Sequence, residues 1–302
     1  MTVAPFPVKL ITMLWAIVKS MRPKQWVKNL LVFAPLIFSQ NLFNVMKLLE
    51  TFAGFIAFCL VSGAVYIIND ILDRENDRSH PKKKFRPIAA GEIKVGTAGI
   101  AAVLAVILGI GGGFVLTLRF GLLILSYFIL QLAYSFYLKK IVVLDVMVVA
   151  TGFAIRAISG TFLVQVQISP WLFVCAILLA LFLALAKRRH ELLYLEGGGI
   201  SHRSVLGKYS ETLLDQMIAV ATSSTVIAYC LYTIAPETVH KFRTHNLILT
   251  VPFVLYGIYR YLYLVYRKEE GGAPERVLFT DVPLIIDIVL WLLSVVAVLY
   301  LR

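Results

Sequence analysis

Charge is scarce in this sequence. Only 15% of its 302 residues are Asp, Glu, Lys or Arg, whereas 60% are hydrophobic. A water-soluble domain carries roughly 25% charged and 45–50% apolar residues. One buried core does not absorb such an excess, so an integral membrane protein with several spans is expected. Cysteine is scarcer still. Cys59, Cys175 and Cys230 each sit inside an apolar run with no paired spacing. That argues against a disulfide framework or a zinc site and leaves three small buried hydrophobes. The histidines show no metal-ligand spacing, and no nucleophile elbow, P-loop or dinucleotide fingerprint is present. No small-residue cleavage site follows an apolar core near the N-terminus, so no cleavable leader is expected. Acid is the rarer sign of charge, with 17 Asp and Glu against 29 Lys and Arg, a net charge of +12. Such a balance invites nucleic acid as a partner, but the positions of the basic residues point elsewhere.

What the chain does have is long apolar runs. Nine are legible, at about 29–46, 50–69, 96–116, 119–137, 143–164, 170–187, 213–234, 246–265 and 282–301. Each approaches the roughly 20 residues that cross the hydrocarbon layer as a helix. They are continuous rather than alternating over about ten residues, which excludes barrel strands. The expected fold is all-α and integral to the membrane, with nine transmembrane helices in a single polytopic domain over 1–302. Lys9, Lys19, Arg22, Lys24 and Lys28 precede the first run, and Arg74, Arg78, Lys82, Lys83, Lys84, Arg86 and Lys94 follow the second. Lys139, Lys140, Lys187, Arg188, Arg189, Arg203 and Lys208 fall on the same face, while Lys47, Arg119, Lys241, Arg243 and Arg302 are all that the other face carries. This bias places the N-terminus in the cytoplasm and the C-terminus on the opposite side. It explains the basicity by topology and lipid headgroups, with no nucleic acid. The two longer polar connections, about 70–95 and 188–212, lie on that cytoplasmic face and hint at two related four-helix halves.

The first of these loops reads "NDILDRENDRSHPKKKFRP" from position 69. At about 100° per residue, Asn69, Asp70, Asp73 and Asp77 fall on one side of a helix. Three carboxylates on one face repel one another and call for compensation. A divalent cation is the natural one, and oxygen ligands suit Mg²⁺, whose coordination is usually completed by substrate phosphates. Lys82, Lys83, Lys84 and Arg86 follow directly, and a dense basic loop beside a metal suits a substrate carrying more than one phosphate. Other polar residues gather at the same end: Lys24 and Lys28 in "MRPKQWVKN", Tyr134 and Lys139 in "YSFYLK", and Lys187, Arg188 and Glu191 in "AKRRHELLYL". Asp145 opens the fifth run. Arg156 lies about three turns inside it, at a depth where an arginine needs a partner or a wet cavity.

"NDILDREND" and "RPIAAG" resemble the N-D-x-x-D-x-x-x-D motif and its sequel in the UbiA prenyltransferase superfamily. That resemblance covers nearly the whole chain. It implies a UbiA-type helix bundle in the cell (inner or plasma) membrane, multi-pass, with its active site facing the cytoplasm. Most members move a prenyl group from a prenyl diphosphate to an aromatic acceptor and use a second motif, D-x-x-x-D, after the sixth span. Here "KRRHE" stands there instead. A prenyltransferase would then need Glu191 or Asp215 at its second metal. "RPKQWVKNLLVFAPL", "YSFYLKKIVVLDV", "GFAIRAISG", "KRRHELLYL" and "GGAPERVLFTD" together look like the decaprenyl-phosphate phosphoribosyltransferase branch. That branch implies transfer of 5-phosphoribose from phosphoribosyl diphosphate to a polyprenyl phosphate, with inversion at C1, toward cell-wall arabinan. The resemblance implies Mg²⁺ on Asp73 and Asp77, with Asn69 and Asp70 completing or orienting the site. Lys24, Lys28, Lys83, Arg86, Tyr134, Lys139, Arg156, Lys187 and Arg188 are the expected substrate-binding residues. Whether the chain forms a homo-oligomer is left open.

Overall fold

The computed structural model describes residues 6–81, 83–167, 169–196, 205–268, 270–272 and 274–301. Lys82 and Arg203, counted above among the loop cations, lie outside them. The described residues form helices and short connections, with no strand among them. Helices α1 (Phe6–Ser20) and α2 (Ala34–Ile37) flank a 3-10 segment, Pro23–Phe33. Then come α3 (Val45–Leu72), α4 (Arg74–Ser79), α5 (Val95–Leu116), α6 (Leu118–Phe136), α7 (Leu144–Val164) and α8 (Pro170–Glu196). The chain ends with α9 (Glu211–Ile234), α10 (Pro236–Phe242), α11 (Val251–Arg267), α12 (Pro274–Thr280) and α13 (Val282–Tyr300). Eight of these, α3, α5 to α9, α11 with the turn before it, and α13, are long and apolar enough to cross a membrane.

Local chemistry sets the helix starts. Asn44, Thr117, Ser210 and Asp281 stand before α3, α6, α9 and α13, and each side chain accepts a backbone N–H three residues on. These caps satisfy donors that the first helical turn leaves open. The bounds of the eight long helices lie within several residues of the expected runs at most termini; α8 continues through the basic "KRRHE" to Glu196.

The first run departs from expectation. Residues 29–46 are not one helix: a 3-10 segment ends at Phe33, α2 ends at Ile37, and α3 begins only at Val45. Pro23 and Pro35 each remove a backbone donor, and the 3-10 segment is wedged against α3 and α7. Gly160 of α7 permits the approach: a Cβ there would lie 2.2 Å from the carbonyl oxygen of Val32. Gly160→Ala is therefore expected to destabilise the protein by about 1–3 kcal/mol, the usual cost of overpacking. A thermal melt in detergent with an unchanged midpoint would contradict this contact.

Helix α1 was not among the expected runs. Lys9 and Lys19 interrupt it, and at 15 residues it is too short to span. Ala16 and Ile17 pack it toward α3 and α5, while Ile11, Leu14, Trp15 and Val18 stay exposed as one helical stripe. Buried apolar side chains form separate clusters, one of which joins Phe38 to Tyr229, Tyr232 and Val295. Phe58, Phe120, Ile124 and Leu163 centre a second, and Phe182, Leu214, Ile218 and Leu264 centre a third. The outer faces carry large apolar residues, such as Ile100, Leu104, Ile107 and Leu108 on α5, as a lipid-facing surface requires.

Candidate functional site

The polar clusters sit where helices alternating in direction bring their ends together: the end of α3 with α4, the end of α6, the start of α7, the end of α8 and the start of α9. Helix α3 stops at Leu72 and α4 resumes at Arg74, with Asp73 between them at φ −92°. The break re-aims the acidic face. Asp70 and Asp77 are each only 2% exposed. Arg86 Nη1 donates to Asp70 Oδ1 at 3.1 Å and to Asp77 Oδ2 at 2.6 Å, and Arg22 Nη2 donates to Asp70 Oδ1 at 2.5 Å. Arg22 itself adopts the left-handed region (φ 53°) and stacks 4.7 Å over the ring of Tyr66. Two arginines thus compensate the repulsion for which the sequence suggested a cation. Asn69 and Asp73 are half-buried, and neither side chain has a hydrogen-bond or ion-pair partner among the described residues.

Among the described residues, no group of three or more His, Cys, Asp or Glu side chains is arranged to hold a metal. Mg²⁺ rarely takes an all-protein cage; one or two carboxylates and the substrate's phosphates suffice. The open side chains of Asn69 and Asp73, with the Asp77 oxygen that Arg86 does not engage, fit that smaller donor set.

The "KRRHE" segment builds a second cluster. Arg188, buried near the end of α8, donates from Nε to Asp145 Oδ2 at 2.6 Å, from Nη1 to Glu191 Oε2 at 2.7 Å and from Nη2 to Tyr134 Oη at 3.2 Å. Asp145 is fully buried, and its other oxygen accepts from Tyr209 Oη at 2.7 Å. Burial and that bond push the Tyr209 phenol up to about 12, so it remains a donor. Tyr209 Oη in turn accepts the N–H of Val143 at 2.8 Å and braces that residue at φ 68°, a conformation costly for a β-branched side chain. Neighbouring Arg189 donates to Asp215 Oδ1 at 2.6 Å and to Glu211, and stacks 4.4 Å over Tyr266.

Arg156 is buried in α7 between helices. It donates to Asn29 Oδ1 at 2.7 Å, Gly152 O at 2.9 Å and Tyr127 Oη at 2.7 Å, and stacks on Tyr127. Its expected partner is thus a polar set rather than a carboxylate. Among the remaining expected residues, Lys24 is exposed and Lys28 donates to Gln25 Oε1 at 2.6 Å. Lys83, Lys139 and Lys187 are half-buried, and the Lys83 backbone N–H donates to His80 Nδ1 at 3.3 Å. The acidic motif therefore gathers Asn69, Asp70, Asp73, Asp77 and Arg86, and Tyr134 joins Arg188. Sequence reading did not place Arg22, Asn29, Tyr127, Asp145, Arg189, Tyr209 or Glu211 in a site. For Asp145 and Tyr209 no local spacing signals a partner, since 64 residues separate them.

A cavity of about 1100 Å³ is lined mainly by apolar side chains including Phe38, Leu179, Phe182, Ile258 and Trp291.

Residues 30–281 match the UbiA prenyltransferase family. A decaprenyl-phosphate phosphoribosyltransferase from Corynebacterium glutamicum is 35% identical over 289 residues, covering 94% of this chain and 86% of that protein. Another of the same name, from Mycobacterium tuberculosis H37Rv, is 32% identical over 283 residues, covering 92% of each. A UbiA homolog from Archaeoglobus fulgidus bound to GPP and Mg²⁺ shares the fold, with a TM-score of 0.71 at 19% identity, covering 94% of this chain and 99% of that one. With a family match across most of its length and relatives above 30% identity, this chain belongs to the UbiA prenyltransferase family of membrane transferases.

Proposed function

We propose that the protein transfers 5-phosphoribose from phosphoribosyl diphosphate to a polyprenyl phosphate, toward a cell-wall arabinan precursor. The bond from C1 to the diphosphate oxygen breaks, and its electron pair leaves with diphosphate. An oxygen of the lipid phosphate bonds to C1 from the opposite face, so the configuration inverts. That oxygen is already anionic, so no side chain needs to remove a proton. Asn69, Asp73 and Asp77 hold the Mg²⁺–diphosphate, and Asp70 fixes Arg22 and Arg86 for the phosphate oxygens. Mg²⁺, when bound, offsets the charge developing on the departing diphosphate. Lys24, Lys28, Lys83, Lys139 and Lys187 supply further cations, and the apolar cavity takes the lipid tail. The bundle is a single domain in which the broken segment 23–37 adds a ninth pass to the eight long helices, and this end faces the cytoplasm.

One observation carries the reading. Glu191, Glu211 and Asp215, the acids nearest to a second metal site, are already paired with Arg188 or Arg189. This leaves a single acidic motif with open side chains, which suits one metal-held diphosphate rather than the two acidic motifs of a prenyl diphosphate site. The test is direct: purified protein, Mg²⁺, a polyprenyl phosphate and ribose-labelled phosphoribosyl diphosphate. Label is expected in the organic phase; folded protein that yields none would sink the proposal.

A further inference from the structure

The cavity proposed for the tail carries a buried acid that a hydrocarbon chain leaves unanswered. Asp287 sits in the second turn of α13, only 7% exposed, and lines the cavity with its neighbour one turn on, Trp291. Its carboxylate has no hydrogen-bond or ion-pair partner among the described residues. The wall opposite is shaped around it. Gly257 of α11 faces Asp287 and also lines the cavity, and a Cβ at 257 would lie 2.9 Å from Asp287 Oδ2. An acid in a membrane helix is costly unless something in the cavity meets it. Of the other polar groups on the wall, Trp291 Nε1 donates to Tyr229 Oη at 3.0 Å, Tyr229 bonds Thr250, and Lys241 Nζ donates to Phe38 O at 3.3 Å.

We infer that the cavity is a binding site for a lipophilic amine, an apolar body with one protonated amino group that Asp287 accepts. An ammonium answers both the charge and the hydrogen-bonding capacity of the carboxylate, while the surrounding apolar wall takes the body. An alcohol of equal length answers only part of it, and an amphiphile whose anionic head sits beside Asp287 is repelled. Asp287 and Gly257 are given no part in the transfer reaction, although the cavity they line is the one proposed for the lipid tail.

The experiment measures binding of dodecylamine and dodecanol to the purified full chain in lipid nanodiscs, with empty nanodiscs subtracted, by titration calorimetry and by quenching of tryptophan fluorescence. The wild-type protein is expected to hold the amine at least tenfold more tightly than the alcohol. Asp287→Asn keeps the shape but removes the charge, and should bring the two within about twofold of each other. Gly257→Ala crowds the carboxylate and should weaken amine binding while leaving Asp287 in place. Equal binding of amine and alcohol by the wild type, which requires no variant to fold, overturns the proposal. So does an amine preference that survives Asp287→Asn. Because binding is read without turnover, this outcome is independent of whether phosphoribose is transferred.

Discussion

Asp73→Asn is expected to lower kcat/KM by roughly 100- to 1000-fold, the scale seen when one preorganised group facing a developing charge is removed. Its effect on stability should be small, within about 0.5 kcal/mol, because the half-buried Asp73 side chain has no partner among the described residues to lose. That combination separates it from its neighbours. Asp77→Asn should lose activity to a similar extent and also lower the melting temperature, since it breaks the 2.6 Å contact with Arg86 in a buried setting. Asp70→Asn should cost more stability again, because one carboxylate oxygen there serves both Arg22 and Arg86. Steady-state kinetics paired with detergent melts on the three variants checks the ordering. If Asp73→Asn retained full activity while the other two lost it, the unpartnered side chains would not be the group that meets the diphosphate.

Arg188→Leu is expected to destabilise the fold by about 3–5 kcal/mol, because it strands a buried charge. Asp145 is fully buried and keeps only the Tyr209 hydroxyl. Removing both charges should be much milder. An Arg188→Leu/Asp145→Leu double variant is predicted to recover most of the lost stability, since replacing a buried pair with apolar residues is often close to neutral. The sequence had suggested Arg188 as a substrate ligand. In the structure its guanidinium gives three donors to Asp145, Glu191 and Tyr134, which tie α6, α7 and α8 together. If the double variant refolds but shows no turnover at any substrate concentration, Arg188 acts on substrate as well.

The long helices were legible in the sequence because their apolar runs are uninterrupted and their caps are local: Asn44, Thr117, Ser210 and Asp281 stand where each helix starts. The stretch 29–46 was not, because its apolar content is high while its conformation is set from outside, by the close approach of Gly160 to Val32. Hydropathy carries no record of that contact. Helix α1 was hidden for the opposite reason, since an amphipathic surface helix dilutes its apolar face with lysines. In the acidic motif, Asn69, Asp70, Asp73 and Asp77 were identified as a group, but a regular helix does not foresee the break at Asp73. Nor does it separate the paired Asp70 and Asp77 from the open Asn69 and Asp73. Arg22 lies 48 residues from the Asp70 it holds, and no spacing rule links them. The cation that the sequence called for is, in the structure, partly two arginines.

Donor choice tests the central claim most directly. One preparation would be assayed with phosphoribosyl diphosphate and a polyprenyl phosphate, and in parallel with geranyl diphosphate and an aromatic acid, each with Mg²⁺. The account predicts turnover of the first pair, with kcat/KM at least about 1000-fold above the second, equivalent to about 4 kcal/mol of transition-state preference. Prenyl transfer to the aromatic acid at equal or greater efficiency would contradict it.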